Sequence, residues 1–164
     1  MLTKMMATMH NKIMALFGAA LAAMLSACSD NVVYQQNRAF KNSEWNKDSV
    51  LTFYFDSHDT AAVYDIILDL RTTDDYPYQN FWIFANSFSP DDKEFKDTLE
   101  CVLADNNGRW IGDGIGSVHC LPVEFGSNVK FPRNGRYKFQ VIQGMREDVL
   151  RGVSDVGLRI QKVK

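Results

Sequence analysis

A two-residue alternation of apolar and polar side chains dominates the chain beyond residue 46. It is clear in VYDIILDLR (63–71), where Tyr64, Ile66 and Leu68 share one side, and it recurs in RYKFQVIQ (136–143) and VGLRIQK (156–162). Successive residues of a strand point to opposite faces, so this period indicates half-buried β-strands. One apolar face and one solvated face are typical of antiparallel sheets.

Four further segments are apolar and aromatic enough to be core strands. Turn-forming residues separate the segments, and no stretch after residue 30 shows the period of a long amphipathic helix. Strands at this spacing predict an all-β fold, an antiparallel two-sheet β-sandwich of the jelly-roll kind. The four segments are VLTFYF (50–55), NFWIFANSF (80–88), TLECVLA (98–104) and SVHCLPVEF (117–125).

The first 27 residues have the layout of an export signal. Lys4 and Lys12 precede an apolar run over 13–25, and small residues follow it. A run of about 13 residues is shorter than the roughly 20 that a membrane-spanning helix needs. Leu-Ser-Ala-Cys at 25–28 matches the lipobox of bacterial lipoproteins, so we expect residues 1–27 to be removed and Cys28 to carry lipid. A plain signal peptide with an incidental cysteine is the alternative.

The remaining chain is long enough for one domain. Residues 28–46 are polar and mixed, which predicts a lipid-anchored tether, with Val32 to Tyr34 as a possible first strand, and 47–164 is predicted to be the β-sandwich domain. The whole chain has 18 basic and 20 acidic residues, and two of the lysines lie in the leader. This charge balance does not favour a nucleic-acid partner.

Cys101 and Cys120 remain once Cys28 is assigned to lipid. An exported pair can form a disulfide, and it can equally be two small buried residues, so both alternatives stay open. His119 lies beside Cys120, but two cysteines and few histidines do not supply the paired spacing of a structural zinc site. We therefore expect no metal and no cofactor besides the lipid.

Several aromatic residues lie near the ends of predicted strands. Exposed flat rings can hold sugars, whereas most aromatic residues of a small domain belong to its core. Tyr76, Tyr78 and Trp110 are the candidates for a ligand surface. They carry the alternative hypothesis of a carbohydrate-binding envelope lipoprotein.

The C-terminal third has a composite pattern that resembles a known family. NGRYKFQVIQGMREDVLRGVSDVGLRIQK (134–162), the block from 64 to 71 with Asn80, Phe81 and Trp82, and the stretch 97–116 all resemble the GldH gliding-motility lipoprotein family. The lipobox at Cys28 agrees with it.

The resemblance implies a lipid-anchored accessory of the envelope apparatus that Bacteroidota use for gliding, which shares its setting with type IX secretion. It implies no reaction, so the chain is expected not to be an enzyme. It also implies a membrane association through the lipid and protein partners in that machinery. Only one acidic residue, Asp30, follows the cysteine closely, and we expect an outer-membrane protein whose domain faces the periplasm.

Overall fold

The computed structural model describes residues 31–163, and nearly all of its regular structure is β-strand. A 3₁₀ turn at Lys41–Ser43 separates the first two strands. The strands are β1 Val32–Ala39, β2 Glu44–Asn46, β3 Leu51–Ser57, β4 Val63–Thr73, β5 Asn80–Phe88, β6 Glu94–Val102, β7 Asp113–Ile115, β8 Val118–Lys130, β9 Gly135–Gln143, β10 Val149–Arg151 and β11 Val153–Lys162.

Two antiparallel sheets form the sandwich. The five-stranded sheet has the order β1-β11-β4-β8-β7, the four-stranded sheet has the order β3-β9-β5-β6, and β10 and β2 form a small separate pair. The long strands of the two sheets therefore follow the order of a jelly roll. The predicted all-β antiparallel sandwich is confirmed.

The core lies between the two sheets and follows the predicted alternation. Ile66 and Leu68 of β4 point inward, and the aromatic rings of Phe53, Phe81 and Phe139 come from the opposite sheet. Their exposed fractions lie between 0% and 5%. Each such side chain contributes about 1.5–3 kcal/mol through burial, so the facing rows hold the two sheets together.

The N-terminal segment belongs to the folded domain, which corrects the expected tether over 28–46. β1 pairs antiparallel with β11, from Val32 opposite Gln161 to Ala39 opposite Asp155. Trp45 of β2 is fully buried. A polar edge strand needs few apolar side chains, because the backbone ladder to its neighbour holds it. The signal segment 1–27 and Cys28 lie outside the described residues.

Partly buried ion pairs cross the outer side of the five-stranded sheet. The Arg159 guanidinium donates two hydrogen bonds to the Asp69 carboxylate, each 3.0 Å long, and the Asp69 side chain is 8% exposed. Arg71 Nη1 and Asn37 Nδ2 donate to Asp155 Oδ1 at 2.9 and 3.1 Å. These contacts tie β1, β11 and β4 together on the face that carries no core residues.

The two ends of the sandwich differ in what they hold. At the entry end, where residue 31 joins the sheet, the Lys162 N–H donates to Asn31 O at 2.7 Å, and Val63 lies opposite Lys130. The connection 131–134 leads from there into β9 of the other sheet. The opposite end, called the far end, holds the β2–β10 pair.

Candidate functional site

Cys101 and Cys120 are free thiols in the structure, which is the unbonded one of the two alternatives that the sequence left open. Cys101 of β6 faces the core at 3% exposure, and burial raises the pKa of its thiol to about 12. Cys120 of β8 lies opposite Arg71, on the outer side of the other sheet. Two thiols that face different sides of different sheets cannot meet without a rearrangement of the backbone.

Tyr76 is a core residue, which corrects its expected place on a ligand surface. Its exposed fraction is 5%, its ring packs at 5.5 Å from the ring of Phe81, and its hydroxyl donates to Asn80 O at 2.9 Å. Burial raises the pKa of this phenol. Gly152, with a positive φ of 76°, lies directly against the Tyr76 backbone.

Tyr78 and Trp110 are half-buried, and neighbouring side chains engage both of them. The Tyr78 hydroxyl donates to the Glu147 carboxylate, which raises the pKa of the phenol. The Trp110 ring stacks on His119 with centroids 4.5 Å apart and planes 12° apart, and His119 Nε2 bonds Asp74 Oδ1 at 2.7 Å. With Tyr76 in the core, these rings do not form the flat exposed platform that a sugar site requires.

Exposed aromatic side chains lie instead on the outer side of the four-stranded sheet. There β5, β9 and β3 present a set that we call the outer apolar face. Phe84 lies opposite Ile142 in the ladder, and Trp82 and Phe84 alternate with the core residues of β5. The members are Val50 (44% exposed), which directly precedes β3, Trp82 (37%), Phe84 (45%) and the half-buried Ile142. Tyr54 (51% exposed) lies further along the same side, beyond the polar row of Thr52, Gln140 and Asn86.

The turn after β9 holds Trp82 in place. The Gly144 N–H donates to Trp82 O at 2.7 Å, and the Trp82 N–H points at Met145 Sδ at 3.4 Å. A Cβ at Gly144 would lie 3.2 Å from the Cβ of Trp82 and 3.3 Å from the ring of Phe84. The absence of a side chain there lets the turn lie close beside both rings.

Cations border the outer apolar face on the side of the entry end. The Lys138 ammonium lies 3.7 Å from the centre of the Phe88 ring. Arg136 lies over Tyr54 and donates to the Asp56 carboxylate, which lowers the pKa of that carboxyl. An apolar centre with a polar border is a common composition of protein-binding surfaces.

The sequence contains a signal for this face, but it can be recognised only when hydropathy is combined with the two-sheet architecture. NFWIFANSF is predicted to be a core strand because both of its alternating sets are apolar. In a two-sheet sandwich, however, only one side of each strand faces the other sheet. The apolar residues on the second side, here Trp82 and Phe84, therefore lie on the surface of the domain.

Metal-binding groups and membrane-spanning helices are both absent from the described part of the chain. Within residues 31–163, no three His, Cys, Asp or Glu side chains come together as possible metal ligands. No helix in this range is both long and apolar enough to cross a bilayer.

Comparison with known proteins identifies the family. A family model described as GldH lipoprotein matches residues 32–160. The chain belongs to the GldH lipoprotein family. The matched range runs from β1 to β11 and so includes both sheets and the outer apolar face.

Two curated relatives agree with this GldH assignment. "Gliding motility lipoprotein GldH homolog" of Christiangramia forsetii is 36% identical over 146 residues, which cover 85% of this chain and 89% of the relative. "Gliding motility lipoprotein GldH" of Flavobacterium johnsoniae is 30% identical over 148 residues, which cover 86% and 91%.

Solved structures resemble the GldH chain only distantly. TmCBM61 in complex with beta-1,4-galactotriose aligns with a TM-score of 0.34 and 12% identity over 80% of this chain and 89% of that one. A structure of infectious bursal disease virus aligns with a TM-score of 0.33 and 11% identity over 77% of this chain and 29% of that one. Scores this low support no argument about a ligand.

Proposed function

We propose that this GldH-family protein is a non-catalytic docking component of the gliding motility and type IX secretion apparatus. The two relatives are named as gliding motility lipoproteins, which supports a role in motility. The observation that carries the docking role is the outer apolar face, because exposed aromatic side chains in one patch mark interaction surfaces.

The proposed anchor is lipid on Cys28, and the proposed place is the periplasmic side of the outer membrane. β1 begins at Val32, so only about three residues separate the lipid from the folded domain, a reach of roughly 10 Å. The domain is therefore held close to the bilayer with its entry end toward the lipid. The outer apolar face extends toward the far end, where Trp82 and Phe84 lie, and this leaves it open to partners.

The test is crosslinking in intact cells of a gliding host, followed by purification of the protein and identification of what accompanies it. The variant Trp82→Ser/Phe84→Ser removes two aromatic anchors. Each anchor is worth about 2 kcal/mol at the centre of an interface, so loss of one weakens a partner by roughly 30-fold and loss of both by more. We expect motility or secretion subunits to co-purify with the native chain and to be lost from the variant.

Two controls separate docking from folding and anchoring. Ile111→Ser/Ile115→Ser changes two apolar residues that are 55% and 92% exposed elsewhere on the surface, and it should keep the partners. Cys28→Ala should release the chain from membranes. Retention of the same subunits by the Trp82→Ser/Phe84→Ser variant would contradict the proposal.

A further inference from the structure

A cleft opens between the two sheets at the entry end, on the side away from β1. It lies between β8 of the five-stranded sheet and β5 and β6 of the four-stranded sheet, with a volume of about 530 Å³. Cavities of this size are within the range that holds small ligands. Most of its walls belong to the inner sides of the sheets, and its rim reaches Phe88 and Lys96 at the edge of the four-stranded sheet.

The walls of the cleft are aromatic. Phe131, Tyr137 and Phe139 form its buried floor, and Phe95 and Phe125 form its sides. The Tyr137 hydroxyl already donates to the backbone oxygen of residue 133 at 3.1 Å and accepts from the N–H of the same residue at 3.2 Å. The floor therefore presents hydrocarbon rather than free polar groups, which suits an alkyl chain better than a sugar.

The sandwich does not close over these side chains. Phe95 lies opposite Ser87 on the inward side of β6, yet it is 63% exposed. The pairing of β8 with β4 is irregular beside the cleft. Tyr64 pairs with Val129 and Ile66 pairs with Gly126, so two residues along β4 correspond to three residues along β8. Extra residues of this kind bend a strand away from regular pairing.

The rim of the cleft carries more cations than anions. Lys93 and Arg133 share one carboxylate, that of Asp91, at 3.4 and 3.3 Å. Lys96, also on the rim, pairs with Glu94 next to the cleft. The remaining lining charges are those of Lys130, which has no ion-pair partner among residues 31–163, and Asp97.

We propose that this cleft binds a single-chain amphiphile with an anionic head, such as a fatty acid carboxylate. The alkyl chain lies between the sheets against Phe95 and Phe125, and the head group meets Lys130 and Arg133 at the rim. An apolar pocket with a few charged groups at its mouth is the usual form of such a site. The ligand comes from outside the chain, and it is distinct from the acyl groups proposed on Cys28.

The position of the cleft supports this ligand, a step that rests on the lipid anchor of the proposed function. The cleft opens at the same end of the sandwich at which residue 31 enters, and Cys28 is three residues further back. An anchored domain would hold the cleft near the bilayer, where amphiphiles are concentrated. Binding in solution does not depend on the anchor, so the two proposals can fail separately.

The experiment uses isothermal titration calorimetry on a chain that starts at Ser29, since residues from 31 onward form a compact unit with a hydrophobic core of its own. The probes are dodecanoate, dodecanol and dodecyltrimethylammonium. We expect saturable binding of one dodecanoate, weaker binding of the alcohol, and the weakest binding of the ammonium. Phe95→Ser should weaken dodecanoate binding by about five-fold or more through lost apolar contact. Lys130→Glu should weaken the binding of dodecanoate by about three-fold and leave the binding of dodecanol unchanged.

Matched variants exclude general effects of the substitutions. Ile115→Ser replaces a 92% exposed apolar residue outside the cleft, and Lys41→Glu makes the same charge change in the 3₁₀ turn. Both should bind dodecanoate like the unchanged chain. Absence of saturable binding below the micelle concentration, equal binding by Phe95→Ser, or preference for the ammonium would overturn the proposal.

A final arm separates the external ligand from the chain's own lipid. The acylated full-length protein in nanodiscs should bind dodecanoate as the soluble chain does. If only the soluble chain binds dodecanoate, the acyl groups on Cys28 occupy the cleft, and the proposal of an external ligand is wrong.

Discussion

Replacement of Gly152 by alanine tests whether the turn between β10 and β11 determines the position of Tyr76. The φ of Gly152 is +76°, a conformation that costs an L-residue about 1–2 kcal/mol. A Cβ built there would lie 2.4 Å from Tyr76 N and 2.5 Å from Tyr76 Cα. Backbone atoms cannot rotate away as a flexible side chain can, so relief requires a shift that costs about 1–3 kcal/mol more.

The expected loss for Gly152→Ala is therefore about 2–5 kcal/mol of unfolding free energy, measured by urea denaturation of the chain from Ser29. For a domain of this length the midpoint of thermal unfolding should fall by roughly 10 °C. The matched control is Gly108→Ala. Gly108 has nearly the same φ, +77°, but no atom lies within 4 Å of the position that a Cβ would take there.

Gly108→Ala should therefore show the conformational cost alone, about 1–2 kcal/mol. The difference between the two variants measures the close approach of the Tyr76 backbone. If Gly152→Ala lost no more stability than Gly108→Ala, the reasoning about this contact would be refuted.

Three further predictions concern buried and hydrogen-bonded groups. Arg159→Leu leaves the Asp69 carboxylate buried without its bidentate partner, so the unfolding free energy in urea should fall by about 3 kcal/mol, and an unchanged value would contradict a structural role for the pair. At pH 8 a thiol reagent should label Cys120 faster than Cys101, because the buried Cys101 thiol has a pKa of about 12 and stays protonated. Peptide mass spectrometry should show that the two cysteines are labelled at similar rates in urea. The Asp105 carboxylate accepts a hydrogen bond from the amide N–H four residues later, and this bond lowers the pKa of the carboxyl. The bond therefore stabilises the fold at pH values above the ordinary aspartate range near pH 4. This stabilisation is lost as the pH falls through the pKa that Asp105 has in the folded protein. The rate of amide hydrogen exchange in the turn 105–109, relative to the unfolded chain at the same pH, should therefore increase on acidification. An unchanged rate would show that the Asp105 carboxylate does not stabilise this turn.

The strands with a clear two-residue period were predictable from the sequence. β4, β9 and β11 each bury one alternating set, as their hydropathy indicated. Polar residues of β4 and β11 form ion pairs on the outer side of their sheet, because the alternation that places Leu68 in the core also places Asp69 on the outer side. The partner of Asp69, which is Arg159 on another strand, depends on register and could not be read from local periodicity.

The remaining differences come from contacts between distant parts of the chain. β1 has no apolar pattern, and its place in the sheet depends on the backbone groups of β11. Tyr76 lies in a polar connection that suggested exposure, but that connection folds against Gly152 and buries the ring. Trp82 and Phe84 are apolar in a strand that is otherwise core, and hydropathy alone does not distinguish buried from exposed apolar residues.

The pairing of β1 with β11 has a consequence for the order of folding during export. Asn37 and Asp155, which are hydrogen-bonded across these strands, lie 118 residues apart in the sequence. Folds that depend on such distant contacts form slowly, because a long loop must close before its contacts are gained. In an exported lipoprotein, β1 has no partner until the last strand has crossed the membrane. The five-stranded sheet is therefore completed at β1 only after the last strand has been exported.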